Sequence, residues 1–465
     1  MQGKLMKLKN LGRAALATAL SLAIGFGATA CSRDYTVAYA YAISKSTGNI
    51  AAYSVDYQTG ALTQLSGSPF ASTNSGGTGA QPVVIVPSPS GRNVYVIDNN
   101  YQDISIYSVG TDGKLYGVAT PSLLGAYPTS AAIDSNGCYL YVTVKSQSGT
   151  STQLGSGAID IFPINSSSSG CSGATADDGS LRTPTIVPVG YNPISIAVSL
   201  PFCATGLTGV TQNAACTGGG HYAVYVYVVD QENAATQAQQ PEPNAASNLA
   251  PQLLGFSQNM TTGALTTLSG TTCTVPATVP ATTTCIGTIG GATTGIGVGP
   301  SSVVIDPTTR WVYVSDALQN LIFSLGIASN TTGNLTGLPS SPTASGQYPI
   351  NMTIDPRGKF LLVANYNAQT VGSYAINVAD GSIGAVSGTT AATVPASPTC
   401  VAIDPSLGIY VYTSNIIDGT ISAEKMDANT GSLSSVVNTP FPTSVLPSCV
   451  TVVANGAHAR SIVNP

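Results

Sequence analysis

The chain has 465 residues, of which only 8% are charged, and its 20 acidic and 15 basic residues give a formal net charge of −5. This balance excludes a nucleic-acid partner, because phosphate binding requires clustered Lys and Arg. One repeated phrase covers almost everything after the first thirty residues. We therefore expect one large domain rather than two or three.

The first thirty residues have the organisation of a secretory signal peptide. A basic segment precedes an apolar stretch, Ala14 to Phe26, and a run of small residues ends at Cys31. The basic residues are Lys4, Lys7, Lys9 and Arg13. The apolar stretch is too short for a transmembrane span. We expect residues 1–30 to be a signal peptide and 31–34 a short stub before the folded domain, 35–465. Loss of the leader would leave the chain more acidic.

The segment Ala28-Thr29-Ala30-Cys31 resembles the lipobox of bacterial lipoproteins, with Ala28 in place of the usual leucine. The resemblance implies lipid attachment at Cys31, and Ser32 after it implies sorting to the outer membrane. A plain cleavage site beside a cysteine is the alternative. We expect a monomer in the cell envelope, attached to a membrane only through lipid.

From residue 35 onward, one phrase occurs seven times: a proline with an apolar run, a Tyr-rich run, another alternating run and a turn of the form x-Gly-x-Leu or x-Gly-x-Ile. The prolines are Pro82, Pro128, Pro193, Pro300, Pro349, Pro398 and Pro447. The turn glycines are Gly60, Gly113, Gly179, Gly263, Gly333, Gly381 and Gly431. Glycine after Asp or Thr and before a strand is typical of a hairpin turn that needs positive φ.

Each phrase predicts four antiparallel strands, a to d, because the runs alternate with period two and are rich in Tyr, Val and Ile. Four strands per repeat of this length indicate a β-propeller. The first turn glycine, Gly60, precedes the first proline, Pro82, and the last proline, Pro447, has no complete blade after it. The sequence thus predicts an all-β, seven-bladed propeller, closed by a C-terminal inner strand that joins the N-terminal b, c and d strands.

Eight cysteines remain besides Cys31, an even number in a chain directed to an oxidising compartment, so disulfides are expected. Proximity along the chain and within the repeat suggests four pairs. These are Cys138 with Cys171, Cys203 with Cys216, Cys273 with Cys285, and Cys400 with Cys449. The last two cysteines hold the same position in neighbouring a strands. Metal-ligand spacing of the CxxC type is absent.

Polar residues lie at the ends of the b strands. These ends belong to the face of the propeller that carries the connections from strand b to strand c and from strand d to strand a of the next blade, hereafter the bc face. The long insertions Gln147 to Ser156, Glu232 to Pro251 and Gly270 to Val298 belong to this face. The weak catalytic candidates are Asp98, Asp230, Glu232 and Asp316, and the binding candidates are Asn99, Asn365 and Asn415. Asn100 and Lys145 occupy comparable places. A ring of such oxygens could hold Ca²⁺, but Asp and Asn also cap turns for backbone reasons, which is the simpler interpretation. No other cofactor is expected.

The segments Pro89 to Leu115 and Pro356 to Ile383, with Tyr-Val strands followed by Asp-Gly turns, resemble the lactonase-type propellers, which include 6-phosphogluconolactonases and are related to YVTN repeat proteins. The resemblance extends from about residue 35 to 455. In that family the inner strand carries Arg or His after the proline in several blades. Here the corresponding pairs are Val83-Val84, Thr129-Ser130, Ile194-Ser195, Ser301-Ser302, Ile350-Asn351, Thr399-Cys400 and Ser448-Cys449.

The sequence leaves two functions open. The first is a module that binds a neutral small ligand, a glycan or an envelope protein through the bc-face loops, since the inner strands lack charge. The second is a sugar-lactone hydrolase with a relocated acidic or metal-assisted site. Lactone opening needs a base for water and a donor or cation for the developing oxyanion, so the sequence leaves enzymatic activity uncertain.

Overall fold

A computed structural model describes residues 36–72, 79–147, 157–167, 171–204, 221–231, 251–268, 296–327, 333–386 and 392–456. The described residues from Val37 onward belong to one compact unit. The described residues contain strands and turns but no helix, so none of them forms a helix long and apolar enough to cross a membrane.

The strands are numbered in chain order. The strands before residue 270 are β1 (Thr36–Ser44), β2 (Asn49–Asp56), β3 (Leu62–Gln64), β4 (Phe70–Ala71), β5 (Pro82–Pro87), β6 (Asn93–Asp98), β7 (Asp103–Val109), β8 (Leu115–Ala119), β9 (Ala126–Ile133), β10 (Tyr139–Ser146), β11 (Ala158–Pro163), β12 (Thr185–Pro188), β13 (Pro193–Val198), β14 (Phe202–Ala204), β15 (His221–Ala223), β16 (Tyr225–Asp230), β17 (Gln252–Gln258) and β18 (Leu265–Thr267).

The strands after residue 295 are β19 (Pro300–Ile305), β20 (Trp311–Asp316), β21 (Leu321–Ile327), β22 (Leu335–Gly337), β23 (Thr343–Ala344), β24 (Pro349–Ile354), β25 (Phe360–Asn365), β26 (Thr370–Ile376), β27 (Ile383–Ala385), β28 (Ala392–Thr393), β29 (Pro398–Ile403), β30 (Tyr410–Asn415), β31 (Thr420–Met426), β32 (Leu433–Ser435), β33 (Phe441–Pro442) and β34 (Cys449–Ala454).

Seven antiparallel sheets, each with four main strands, make the blades of a propeller, which confirms the predicted fold. Counted by their turn glycines and written from strand a to strand d, they are blade 1 (β34, β1, β2, β3), blade 2 (β5 to β8), blade 3 (β9 to β12), blade 4 (β13, β16, β17, β18), blade 5 (β19 to β22), blade 6 (β24 to β27) and blade 7 (β29 to β32). In blade 1 the C-terminal strand pairs with the N-terminal one, Ile43 lying opposite Cys449. Short strands β4, β23, β28 and β33 add to the c strands of four blades, which the repeat did not predict.

The seven a strands form the centre, because each contacts the a strands of both neighbouring blades in a closed cycle. In six blades the a strand shifts register at the residue after the repeat proline, as between Pro300 and Ser302. A bulge of this kind re-aims side chains and bends the strand.

The hydrophobic core is divided into seven clusters, and each lies between two adjacent blades. One cluster joins Tyr41 of blade 1 to Val94 of blade 2, and another joins Tyr412 of blade 7 to Val37 of blade 1. Both faces of a blade are therefore covered. This is why b strands such as Asn93–Asp98 are buried at every position despite their alternating sequence.

A tyrosine on the b strand links most blades to the next one. Its hydroxyl donates to the carbonyl of the next turn glycine at 2.6 to 3.0 Å. The pairs are Tyr41 with Gly113, Tyr95 with Gly179, Tyr141 with Gly263, Tyr227 with Gly333, Tyr313 with Gly381, and Tyr412 with Gly60. Between blades 6 and 7 Leu362 stands in the tyrosine's place and only the ring of Phe360 covers Gly431.

These turns require glycine for two reasons. Gly60 has φ 74°, and a Cβ there would lie 2.2 Å from Cδ1 of Tyr410. A side chain would thus be strained by the backbone and blocked by the ring of the neighbouring blade.

In three blades the second residue after the repeat proline bonds to the next blade. Ser195 Oγ accepts from Val303 N at 3.1 Å, and Asn351 Oδ1 accepts from Val401 N at 2.9 Å. At the junction of blades 7 and 1 the bond is covalent, the disulfide Cys400–Cys449.

The second disulfide, Cys138–Cys171, lies in blade 3, so two of the four predicted pairs are confirmed. The pairings of Cys203 with Cys216 and Cys273 with Cys285, and lipidation of Cys31, depend on residues outside the described part.

The aspartates that end the a strands cap the following turns, as expected. Asp355 Oδ1, for example, accepts from Lys359 N and Phe360 N at 2.7 Å each. Asp134, Asp306 and Asp404 make the equivalent bonds.

Replacing Tyr412 by Phe should lower the free energy of unfolding by about 1 to 3 kcal/mol, because the buried carbonyl of Gly60 loses its donor. Urea denaturation followed by circular dichroism measures the change. Tyr116→Phe is the control, since that side chain is 52% exposed on a d strand. Equal stability of the Tyr412 and Tyr116 variants would contradict this role of the tyrosines.

The double substitution of Cys400 and Cys449 by Ser should lower stability by about 2 to 4 kcal/mol, because the unfolded chain gains the freedom of a loop that the bond now closes. The variant is compared with the unaltered protein in denaturant without reductant. An unchanged midpoint would show that the ring closes equally well without this bond.

Candidate functional site

The carboxylates predicted as catalytic candidates lie at b-strand ends of three different blades, and backbone N–H groups engage them. Asp98 Oδ1 accepts from Asn100 N and Tyr101 N at 2.8 Å each, and its Oδ2 accepts from Gln81 N at 2.5 Å. Asp316 accepts from four backbone N–H groups, among them Leu318 N at 2.8 Å. Both carboxylates thus connect, by hydrogen bonds, the b-c turn to the segment that precedes strand a of the same blade.

Asp230 has the same role in blade 4, with Tyr191 N at 2.9 Å from Oδ2 and Asn192 N at 2.7 Å from Oδ1. Glu232 and the long insertions lie largely outside the described residues. The structure thus does not bring Asp98, Asp230 and Asp316 together. Their catalytic role stays a prediction, and their visible role is structural.

The asparagines predicted to bind ligand are also used within the fold. Asn365 Nδ2 donates to Thr370 Oγ1 and Asn415 Nδ2 to Thr420 Oγ1, each at 3.1 Å across the b-c turn. Their Oδ1 atoms are buried and have no hydrogen-bond partner among the described residues. Asn99 is half-buried, and its N–H donates to Gln81 O at 3.0 Å.

Asp103, which the sequence analysis missed, lies directly opposite Asp98 across the b-c hairpin of blade 2. Burial and the charge of Asp98 raise the pKa of Asp103 to about 6. The segment Asp98 to Asp103 contained the signal, because a tight hairpin brings its two ends together. In blade 3, burial likewise raises the pKa of Asp160 to about 6, although Leu124 N and Gly125 N donate to it.

The predicted Ca²⁺ site stays a prediction, since Glu232 lies outside the described residues. Within the described residues no group of three or more His, Cys, Asp and Glu side chains could hold an ion.

Positive charge is almost absent from the a and b strands, and Lys145 is the exception. In the seven a strands and seven b strands, all of which are described, Lys145 is the only Lys or Arg. It lies near the bc-face end of β10 and is half-buried. The register pairs Val144 with Pro128 and Ser146 with Ala126, which places Lys145 opposite Tyr127.

The surroundings of Lys145 lower the pKa of its ammonium group. Burial, and secondly the charge of Lys45, lower the pKa of Lys145. Lys45 follows the b strand of blade 1 and is exposed, so cations from blades 1 and 3 act on each other across blade 2. Tyr127, half-buried at φ 59°, holds a conformation that is rare for bulky residues and frequent at functional sites.

Solved structures share this architecture. A candidate 6-phosphogluconolactonase of Bacteroides fragilis aligns with a TM-score of 0.59 and 16% identity over 91% of this chain and 99% of its own. PpgL, a periplasmic gluconolactonase of Pseudomonas aeruginosa, aligns with a TM-score of 0.57 and 15% identity over 90% and 99% of the two chains. At such identities the likeness establishes the fold alone.

No curated protein sequence matches the chain. A family model described as "Lactonase, 7-bladed beta-propeller" matches residues 14–168 and 245–403, well over half of the sequence. The chain therefore belongs to the lactonase family of seven-bladed β-propellers.

Proposed function

We propose that this protein hydrolyses a sugar lactone at the bc face, with Lys145 binding the carbonyl oxygen of the lactone. The observation that carries the proposal is the position of Lys145, the single cation of the a and b strands, at the bc-face end of β10. Membership of the lactonase family and the fold shared with PpgL support the same reaction.

The chemistry needs a base for water and a cation for the developing oxyanion, and Lys145 supplies the cation. The oxygen of a water molecule bonds to the carbonyl carbon, and the negative charge that develops on the carbonyl oxygen is stabilised by the ammonium group of Lys145. The bond from that carbon to the ring oxygen then breaks. One proton of the water ends on the new hydroxyl, and the other is released when the acid product ionises.

The lowered pKa of Lys145 fits this role. A half-buried ammonium group is partly stripped of water, so its charge acts strongly on a developing oxyanion. Its N–H is also a better proton donor to the leaving ring oxygen than that of an ordinary lysine.

Replacing Lys145 by Met should lower kcat/KM for glucono-δ-lactone by about 10²- to 10³-fold, the effect typical of removing one oxyanion donor. The assay follows acid release after subtraction of spontaneous hydrolysis. Lys114→Met is the matched control, since Lys114 lies in a c-d turn on the other face, 3.1 Å from Asp112. The proposal fails if the Lys145 variant keeps the rate, or if the unaltered protein does not exceed spontaneous hydrolysis.

The pH dependence tests the same lysine separately. Activity requires the ammonium form, so the enzymatic rate should fall as pH rises through the pKa of Lys145, which lies below that of an ordinary lysine. Lys45→Met removes a neighbouring positive charge, raises the pKa of Lys145 and should move this fall to higher pH. A fall at the same pH in the Lys45 variant would contradict the coupling.

A binding module without turnover is the second candidate, and the uncharged side chains of the a strands favour it. The residues just after the repeat prolines include Val83, Ile194 and Ile350. A protein that binds gluconolactone or a saccharide without accelerating hydrolysis would support this candidate over the first.

A further inference from the structure

Blade 6 carries a pair of tyrosines on the bc face. Tyr348 precedes β24 and Tyr366 follows β25, and their ring centroids are 6.1 Å apart with the planes inclined by 59°. Tyr348 is 38% exposed and Tyr366 is half-buried. In a ring of seven, blade 6 lies opposite blades 2 and 3, so the pair and Lys145 are on opposite sides of the ring.

The backbone fixes this pair. Tyr348 has φ 57°, a conformation that costs energy for a bulky residue and persists only where neighbouring groups hold it. Its N–H donates to Asn320 Oδ1 at 2.7 Å, and its carbonyl accepts from Tyr366 N at 2.9 Å. The two rings are thus in place before any ligand arrives, which reduces the entropy cost of binding.

The surroundings of the tyrosines are polar but uncharged. Gln347, Asn367 and Gln369 are exposed or half-buried beside them, and Leu318 of the adjoining turn is 54% exposed. Residues 317–320, 338–348 and 366–369, which form this part of the surface, contain no Asp, Glu, Lys or Arg. Amide groups both donate and accept hydrogen bonds, so they complement hydroxyl groups rather than ions.

We propose that Tyr348 and Tyr366 form a binding site for a neutral saccharide. A sugar ring presents C–H groups on its face and hydroxyls at its edge. The C–H groups pack against the electron-rich face of an aromatic ring, and the hydroxyls bond to the surrounding amides. A small number of polar groups around an aromatic surface is the usual composition of such a site. The site does not depend on hydrolysis at Lys145.

Isothermal titration calorimetry of the whole protein with maltotriose, cellotriose and N-acetylated chitotriose tests the site. We expect at least one of these neutral sugars to bind. Tyr348→Gly and Tyr366→Ala should each weaken binding about tenfold or more. Glycine at position 348 removes the first ring and readily adopts the positive φ of this position. Loss of binding by this variant would therefore not result from backbone strain.

Two control variants complete the experiment. Tyr348→Phe keeps the ring and should bind within about twofold of the unaltered protein, and Tyr116→Ala removes an exposed tyrosine elsewhere and should have no effect. Lys145→Met should also bind normally, which separates this site from the proposed hydrolysis. Absence of binding for all three sugars at millimolar concentration would overturn the proposal. Undiminished binding by the variants Tyr348→Gly and Tyr366→Ala would overturn it as well.

Discussion

Each blade is held to the next by a side chain of the b strand that lies on the turn glycine of its neighbour. This side chain is aromatic at six junctions and is Asn93 between blades 2 and 3. In six of the seven junctions a tyrosine hydroxyl of the same strand also donates to that glycine's carbonyl. That side chain excludes any Cβ at the glycine, and the hydrogen bond satisfies a buried carbonyl that would otherwise cost free energy. These contacts set the spacing of the blades and thereby close the seven a strands into one cycle. Because the framework is fixed at the c-d turns, the opposite, bc face is free to vary in its loops.

Several polar side chains of the inner strands are unavailable to a ligand because they already bond within the protein. Ser195 and Asn351 bond to the backbone of the next blade, and Cys400 is joined to Cys449. At the b-strand ends, Asp98 and Asp316 are likewise engaged by backbone N–H groups. Side chains that make no such structural contacts remain for ligand binding or catalysis. Lys145 and the pair of Tyr348 with Tyr366 are the ones that we propose for these roles.

The repeat predicted the architecture well because its signals are local. A turn glycine, a period-two run and a proline each act within a few residues, and seven copies reduce the ambiguity of any one of them. The candidate site was less predictable. Asp230 and Asp316 became candidates because they are carboxylates at strand ends. A sequence does not show which backbone N–H groups will donate hydrogen bonds to a carboxylate. Asp103 was missed because its importance lies in facing Asp98 across a hairpin.

The sequence by itself predicted the number of blades, the order of the strands and the closure partners, and it suggested the pairing of Cys400 with Cys449, since all of these follow from position within a repeat. Only the tertiary structure decided which side chains are engaged and which are free. Lys145 illustrates the difference: its pKa is lowered by burial between strands and by Lys45, a residue of another blade. Tyr348 and Tyr366 likewise meet only because the chain entering blade 6 is bonded to the turn that follows its b strand. Such contacts join residues that are not neighbours in the chain, and no pattern within a few residues encodes them.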